Sequence, residues 1–339
     1  MRPAFTTVPA AGLSPCAADA LTKIPAYPDD TPLTAGIWAE VCRLMPGEHP
    51  VLAELSYFSI HCWRGGDAVR LSRIGPLFVV FFADEFGDAM LVSFPGEPLL
   101  PEHLDRVAEL LETRSVRFLS AKTAAVLERT SGPGGCGLTR DRNDADYVYA
   151  MSDLAEYEGA EFRSKRRDAR RFETRRTPSV RAGRLTDQWA SDHLDATYNR
   201  WLAAKYGGGV AVPAAVRRER AGVDGWPRDG WAANVRVFCL EVEGEPVGVS
   251  VVEPMWDRTW MGVVMKTDPE MAGATAFLRR HVARAGLREL GDGGLLNIQQ
   301  DEGLPGLRKA KESYRPVRLE PKYSLVRVGG PASKGRTQC

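Results

Sequence analysis

Eight cations crowd the stretch from Glu161 to Arg176: Arg163, Lys165, Arg166, Arg167, Arg170, Arg171, Arg175 and Arg176, with Asp168 and Glu173 among them. At helical spacing Phe162, Ala169 and Phe172 form a narrow apolar stripe, which leaves Arg163, Arg166, Arg167 and Arg170 on an exposed face. Such a face fits a phosphate backbone: each neutralised phosphate releases counterions, so affinity falls with salt, and the contact positions a nucleic acid without reading its bases. The plain alternative is a solvated surface helix. A second stretch, Asn297 to Arg308, reads as a strand, a turn and a helix. Alternation along a strand puts Asn297 and Gln299 on one face, and Asp301 and Glu302 follow at its end, where open α/β sheets place ligands. Asp301 either contacts a ligand or caps the helix that Pro305 starts.

Several constellations are missing. The five histidines show no H-E-x-x-H or other metal spacing, and there is no G-x-S-x-G elbow and no Walker loop, so metal hydrolysis, serine hydrolysis and ATP-driven ligation lose support. No metal is expected. The six cysteines lie far apart without a C-x-x-C pair and read as reduced thiols. The longest apolar run, Pro76 to Ala83, is too short to span a bilayer, and the N-terminus lacks the apolar block of a secretory signal, so a cytoplasmic protein is expected.

The elements that must position these residues alternate between helix and strand. A net charge of +1 divides into −6 for residues 1–150 and +7 for the remainder, so an anionic partner is expected on the second half. Residues 1–30 read as a loosely ordered leader, 31–145 as an N-terminal domain, 146–328 as a C-terminal domain and 329–339 as a tail. In the first domain the pattern predicts a helix over Thr34 to Met45, strands at Leu77 to Phe82 and Met90 to Phe94, and a helix over Glu102 to Leu111. The Gly- and Asp-rich segment Ser131 to Asp146, including Gly132 to Gly135, reads as a linker.

In the second domain a strand at Tyr147 to Ala150 leads through a capping-box pattern, Asp153 and Glu156, into one long helix ending near Arg175. A helix follows at Thr186 to Tyr206. The loop from 207 to 232 carries Trp226 and Trp231 as stacking or lid candidates, hinged at Lys205 to Gly209. Strands at Val235 to Glu241 and Pro246 to Glu253 flank a Glu243-Gly244 hairpin signal. Further elements are a strand at Thr259 to Met265, a helix from Gly273 to Leu290, a strand from Leu295 to Gln299, a helix from Pro305 to Lys311 and a strand from Lys322 to Val328. Antiparallel strands joined to a β-α-β crossover predict an α/β fold with mixed sheets.

The block LLNIQQDEGLPGLRKAKESYRPVRLEPKYSLV, residues 295–326, resembles a signature of the C-terminal domain of bacterial tRNA-dependent phosphatidylglycerol lysyl and alanyl transferases and their soluble relatives. Residues 147–172 resemble that family's tyrosine-led strand and basic helix, and residues 56–96 its N-terminal domain. The resemblance implies two tandem GNAT-like acyltransferase domains and transfer of an aminoacyl group from tRNA, with aminoacyl-tRNA as co-substrate and no bound cofactor. The multi-span region of the membrane-bound members is not in this sequence. The expected acceptor is therefore a small soluble amine, hydroxyl or hydroxylamine compound, as in natural-product biosynthesis.

On that reading Arg163, Lys165, Arg166, Arg167, Arg170, Arg171, Lys311 and Arg315 bind tRNA, while Asn297, Gln299, Asp301 and Arg308 bind the aminoacyl group. Asp301 pairs with its α-ammonium. Lys309 lies near the ester. Tyr314 either donates to the tetrahedral intermediate or packs in the core, and Glu253 is either a proton acceptor or an edge residue facing water. The loop Pro269 to Thr275 stands where GNAT folds bind the pyrophosphate of coenzyme A, and its Glu270 would repel that group. Two alternatives stay open: an acyl-coenzyme A-dependent N-acyltransferase, and a non-catalytic tRNA-binding protein.

Overall fold

Local sequence sets most of the elements. The computed structural model describes residues 23–327 except 84–85, 95–97, 132–135, 208 and 227–229. The leader up to residue 22, the tail, the Gly132 to Gly135 run and Gly208 of the expected hinge lie outside the described residues. In chain order the helices and strands are β1 (Thr31–Pro32), α1 (Ala35–Cys42), α2 (Tyr57–Trp63), β2 (Arg70–Ile74), β3 (Leu77–Phe81), β4 (Ala89–Ser93), α3 (Pro101–Thr113), β5 (Val116–Leu119), α4 (Ala121–Ser131) and β6 (Cys136–Arg140). There follow β7 (Asp146–Ala150), α5 (Met151–Glu156), α6 (Arg163–Arg176), β8 (Ser179–Arg184), α7 (Gln188–Tyr206), α8 (Ala214–Asp224), β9 (Arg236–Val242), β10 (Glu245–Pro254) and β11 (Thr259–Thr267). The last are α9 (Ala274–Leu290), β12 (Leu295–Asn297), α10 (Pro305–Glu312), β13 (Arg318–Glu320) and β14 (Tyr323–Arg327).

The chain divides into two compact units that are not continuous in sequence. One comprises residues 1–50, 64–141 and 321–339, and the other 51–63 and 142–320. Where the sequence reading drew one boundary after residue 145, two segments are exchanged. Residues 51–63, with α2, belong to the second unit, and β14 belongs to the first.

The first unit is built on a sheet of order β1-β2-β3-β4-β5-β14-β6. Strands β3 and β4 are buried along their whole length, as their unbroken apolar runs require. Leu77, Val79, Leu91, Val107, Leu110 and Leu127 form the core between sheet and helices. The expected linker proves to contain β6, which pairs antiparallel with β14 from Cys136–Arg327 to Arg140–Tyr323. Within the expected leader, Ile24 is buried and Ala26 bridges to Arg73, so packing begins before residue 31.

The second unit has a sheet of order β13-β7-β12-β11-β10-β9-β8. The β9–β10 hairpin turns at Glu243 and Gly244, both at positive φ, as a type I′ turn demands. Helices α5, α6 and α9 close a core of Tyr149, Tyr157, Phe172, Phe238, Trp260 and Phe277. The single long helix expected after Ala150 is broken. Tyr157 and Gly159 take positive φ, α5 ends at Glu156, and α6 begins at Arg163. No side chain caps α5, whose N-cap is Ala150, so the Asp153 and Glu156 pattern is not a capping box. The expected 207–232 loop includes α8.

Both units repeat one topology. Three antiparallel strands (β2-β3-β4, β9-β10-β11) are followed by a helix (α3, α9) crossing to a strand parallel to the third (β5, β12). These mixed α/β sheets are the tandem GNAT-like pair that the resemblance implied. In the second unit the parallel strands pair only between Thr259–Met261 and Leu295–Asn297, after which β11 runs on to Thr267 and the two part.

Candidate functional site

Helix α6 carries the charge. Its fourteen residues hold eight cations and two acids, and its buried residues are Ala169 and Phe172, with Phe162 buried at the N-cap. Arg163, Arg167, Arg170 and Arg171 are exposed. With Arg166, Thr174 and Arg175 they line an open groove of about 560 Å³. Arg175 and Arg176 fill the last turn, where the helix dipole favours cations. Two of the predicted cations are partly committed inward. Arg166 donates to the carbonyls of Tyr157 and Gly159 (3.2 Å to Gly159), pinning the turn that breaks the helix. Lys165 lies over the Tyr314 ring, 4.1 Å from its centroid, and burial, then Arg279, pulls its amine below the usual lysine range.

Helix α6 also sits on the first turn of α9. Gly273, the α9 N-cap, has φ 95°, and a Cβ there would stand 2.4 Å from the Asp168 carbonyl oxygen, so only glycine allows this approach. In the loop ahead of α9, the Asp268 carboxylate accepts from the Glu270 N–H at 2.9 Å.

The turn after β12 is organised by Asp301, which is fully buried. Its Oδ2 accepts from the Tyr147 hydroxyl (2.5 Å), Arg308 Nε (2.8 Å) and Arg142 Nη1 (3.3 Å), and its Oδ1 from the Gly303 N–H (2.8 Å) and Arg308 Nη2 (2.9 Å). Burial alone would raise its pKa, but Arg308, Tyr147 and the Gly303 N–H outweigh burial and hold it at about 2. Arg308 also reaches Asn143 Oδ1 at 2.6 Å. Asp301 and Arg308 are thus brought together, but as partners of each other, with the carboxylate turned away from any incoming ammonium.

The two amides do not share an open face. Strand β12 ends at Asn297, and Gln299 adopts φ 63°, so the expected alternation stops short. Asn297 is fully buried; its Nδ2 donates to the Val51 carbonyl (2.7 Å) and Asp146 Oδ2 (3.0 Å), and its Oδ1 accepts from the Gln299 N–H. Gln299 Nε2 donates to the carbonyls of Gly262 and Val263 at 2.9 and 3.0 Å, filling the gap where β11 and β12 part.

Lys311 points inward as well, with its Nζ donating to the carbonyls of Ile298 (2.6 Å), Gln299 (3.1 Å) and Gln300 (2.6 Å). Burial pushes its amine down to about 7. Lys309 and Arg315 are exposed. Tyr314 is buried beneath Lys165 and Arg279, and burial raises its phenol.

Glu253 neither faces water nor stands free. It is 1% exposed, and its two oxygens accept from the Ser56 hydroxyl (2.5 Å), the N–H groups of Tyr57 (3.3 Å) and Phe58 (3.1 Å) and Trp231 Nε1 (2.8 Å). It therefore caps the start of α2, and burial lifts its pKa above the ordinary carboxylate value. Trp226, expected in a lid, is buried and donates to the Phe58 carbonyl at 3.2 Å. Sequence reasoning passed over Tyr147, Arg142, Asn143 and Asp146; the tyrosine-led strand pointed to the first, but their partners Asp301, Arg308 and Asn297 lie too far along the chain for local spacing to reveal. Among the described residues no group of His, Cys, Asp and Glu is arranged to hold a metal, and no helix is long and apolar enough to cross a membrane.

The family model described as phosphatidylglycerol lysyltransferase, C-terminal, matches residues 53–326. Among solved structures, a conserved protein of unknown function from Bacteroides thetaiotaomicron superposes with a TM-score of 0.71 at 24% identity, covering 87% of this chain and 98% of that one. L-PGS from Bacillus licheniformis gives a TM-score of 0.58 at 16% identity, covering 88% and 92%. Both likenesses show the shared fold. No curated protein matches the sequence.

Proposed function

This chain belongs to the family of phosphatidylglycerol lysyltransferase C-terminal domains, a transferase family, and from that premise we propose that it is an aminoacyl-tRNA-dependent aminoacyltransferase acting on a small soluble acceptor. The observation that carries the reading is the exposed face of α6, where Arg163, Arg167, Arg170 and Arg171 line one groove without a matching row of carboxylates.

The donor already holds an activated ester, so no covalent nucleophile is needed. The amine or hydroxyl of the acceptor attacks the ester carbonyl, the new amide or ester bond forms, and the bond to the terminal ribose oxygen breaks. The acceptor's proton leaves on that ribose hydroxyl. Glu253, with both oxygens engaged by four donors, anchors α2 and takes no part in this transfer. Lys309 and Arg315, exposed on and just beyond α10, are the cations free to meet the RNA end from this side. Asp301, Arg308 and Lys311 act one step back by fixing the backbone that carries them.

Incubation with a mixture of charged tRNAs and candidate amines tests the reading. One aminoacyl-tRNA is expected to lose its label to acceptor, and ribonuclease treatment of the donor should abolish transfer. Transfer from an acyl thioester that ribonuclease does not affect would replace this reading with the coenzyme A-dependent one.

A further inference from the structure

Of the arginines on α9 that are not fully exposed, two have carboxylate partners and the third, Arg279, does not. Arg280 meets Glu173 at 2.7 Å and Arg284 meets Glu156 at 3.0 Å. Arg279 is 9% exposed, yet among the described residues its Nε has no hydrogen-bond partner, no carboxylate stands within ion-pair distance, and its Nη2 lies 3.8 Å from the thioether of Met265. The guanidinium instead rests 4.1 Å from the centroid of the Tyr314 ring. Lys165 of α6 stands over the same ring at 4.1 Å. The acid nearest this pair in sequence, Asp168, turns its carboxylate to Arg167 at 3.4 Å.

Two like charges held at one aromatic ring, one of them deeply buried and without an oxygen acceptor, are costly in an empty site, because a desolvated cation needs an anion or hydrogen-bond acceptors to offset the loss of water. A ring quadrupole recovers a small part of that cost. The missing partner is therefore an anion with several oxygens. Lys165 is half-buried and belongs to the same helix whose outer arginines line the groove.

We propose that Arg279 and Lys165, over the ring of Tyr314, form a binding site for a phosphate group of the donor, the phosphodiester in the unpaired 3′ end of the charged RNA. The inference rests on the tRNA reading above and extends it: the outer arginines of α6 hold the duplex, while this pair draws in the strand that bears the ester. A guanidinium grips two phosphate oxygens at once, and the ammonium supplies a third contact.

The test uses the full chain and two RNA probes, an acceptor-stem minihelix with its unpaired 3′ end and the same duplex trimmed blunt, with binding read by fluorescence anisotropy. Wild type should prefer the complete minihelix by about tenfold, the size of a charge-assisted contact. Arg279→Met should bind both probes as wild type binds the blunt one, and Arg279→Lys should restore part of the preference. Melting temperature controls for folding. Arg279→Met, which removes an unpaired buried charge, should melt no lower than wild type; if it melts lower, Lys165→Met replaces it as the diagnostic variant, with the same expected loss of preference.

Retention of the full preference by the diagnostic variant, or equal loss for both probes, overturns the proposal. A third arm separates it from the reading beneath it. If wild type binds neither RNA but is stabilised by coenzyme A while Arg279→Met is not, the RNA donor and this proposal's source of phosphate both fail, and the pair is assigned to a pyrophosphate.

Discussion

At Asp301, five donor contacts converge on two carboxylate oxygens, and three of them come from arginines that themselves hold other partners. Asp301→Asn removes the charge those guanidiniums need and should lower stability by about 2 kcal/mol, measured by urea unfolding. Its folded pKa of about 2 lies below the ordinary 3.8, so its contribution is fully present above that ordinary value and is lost as pH falls from about 4 toward about 2. Wild type should therefore lose its advantage over the variant across that window, which a series of melts at falling pH would show. Lys311 gives the same direction of pH dependence in a higher window. Its amine is pushed from 10.5 to about 7, so between those values the unfolded chain binds the extra proton and stability rises with pH. The difference in Tm between wild type and Lys311→Met should grow in favour of wild type as pH is raised from 7 toward 10; a flat difference would contradict the buried-amine account.

Such commitments were beyond the reach of local pattern. Alternation assigned Asn297 and Gln299 to a shared face, but the strand stops at Asn297 because Asp146 and the Val51 carbonyl claim its amide, and both lie more than 140 positions away. That the region around 297–308 is polar and turned was legible. Which of those side chains face outward was not, since burial there is decided by Tyr147 and Asn143 from another part of the sequence.

At the scale of elements, α6 was the most readable piece of the molecule. Its apolar stripe of Phe162, Ala169 and Phe172 is buried and its arginines other than Arg166 are exposed, because a period of 3.6 residues leaves no other way to hide three apolar groups among eight cations. Its start was misplaced because Tyr157, a non-glycine residue, is held in the left-handed region by its hydroxyl bond to the Ala276 carbonyl and by Arg166 on its own carbonyl. The element-level prediction follows from exposure. Reversal of Arg167, Arg170 and Arg171 to Glu should leave Tm within a degree or two, since surface changes are small, and should reduce the slope of log affinity for tRNA against log salt by about 3. An unchanged slope in a titration of Kd against salt would remove α6 from the RNA interface.

For the whole molecule, the topology of three antiparallel strands, a crossover helix and a parallel strand was legible in the second unit, whereas of that pattern in the first unit only β3, β4 and α3 were legible, without β2 and β5, and the exchange of segments was not. Strand β6 hides in a Gly- and Asp-rich stretch because its stability comes from β14, nearly the full length of the second unit later in sequence. Truncation after Glu320 should accordingly unfold the first unit, leaving β5 and β6 without the strand between them, and limited proteolysis should then cut first within residues 64–141.

The central claim, that the arginine face of α6 serves a charged RNA, is tested most directly by one transfer assay: purified protein, labelled aminoacyl-tRNA and an amine acceptor at rising ionic strength. The account predicts label leaving the RNA for the acceptor, steeply inhibited by salt and strongly reduced in the Arg167, Arg170 and Arg171 reversal variant. Transfer that is indifferent to salt and to those three substitutions would contradict it.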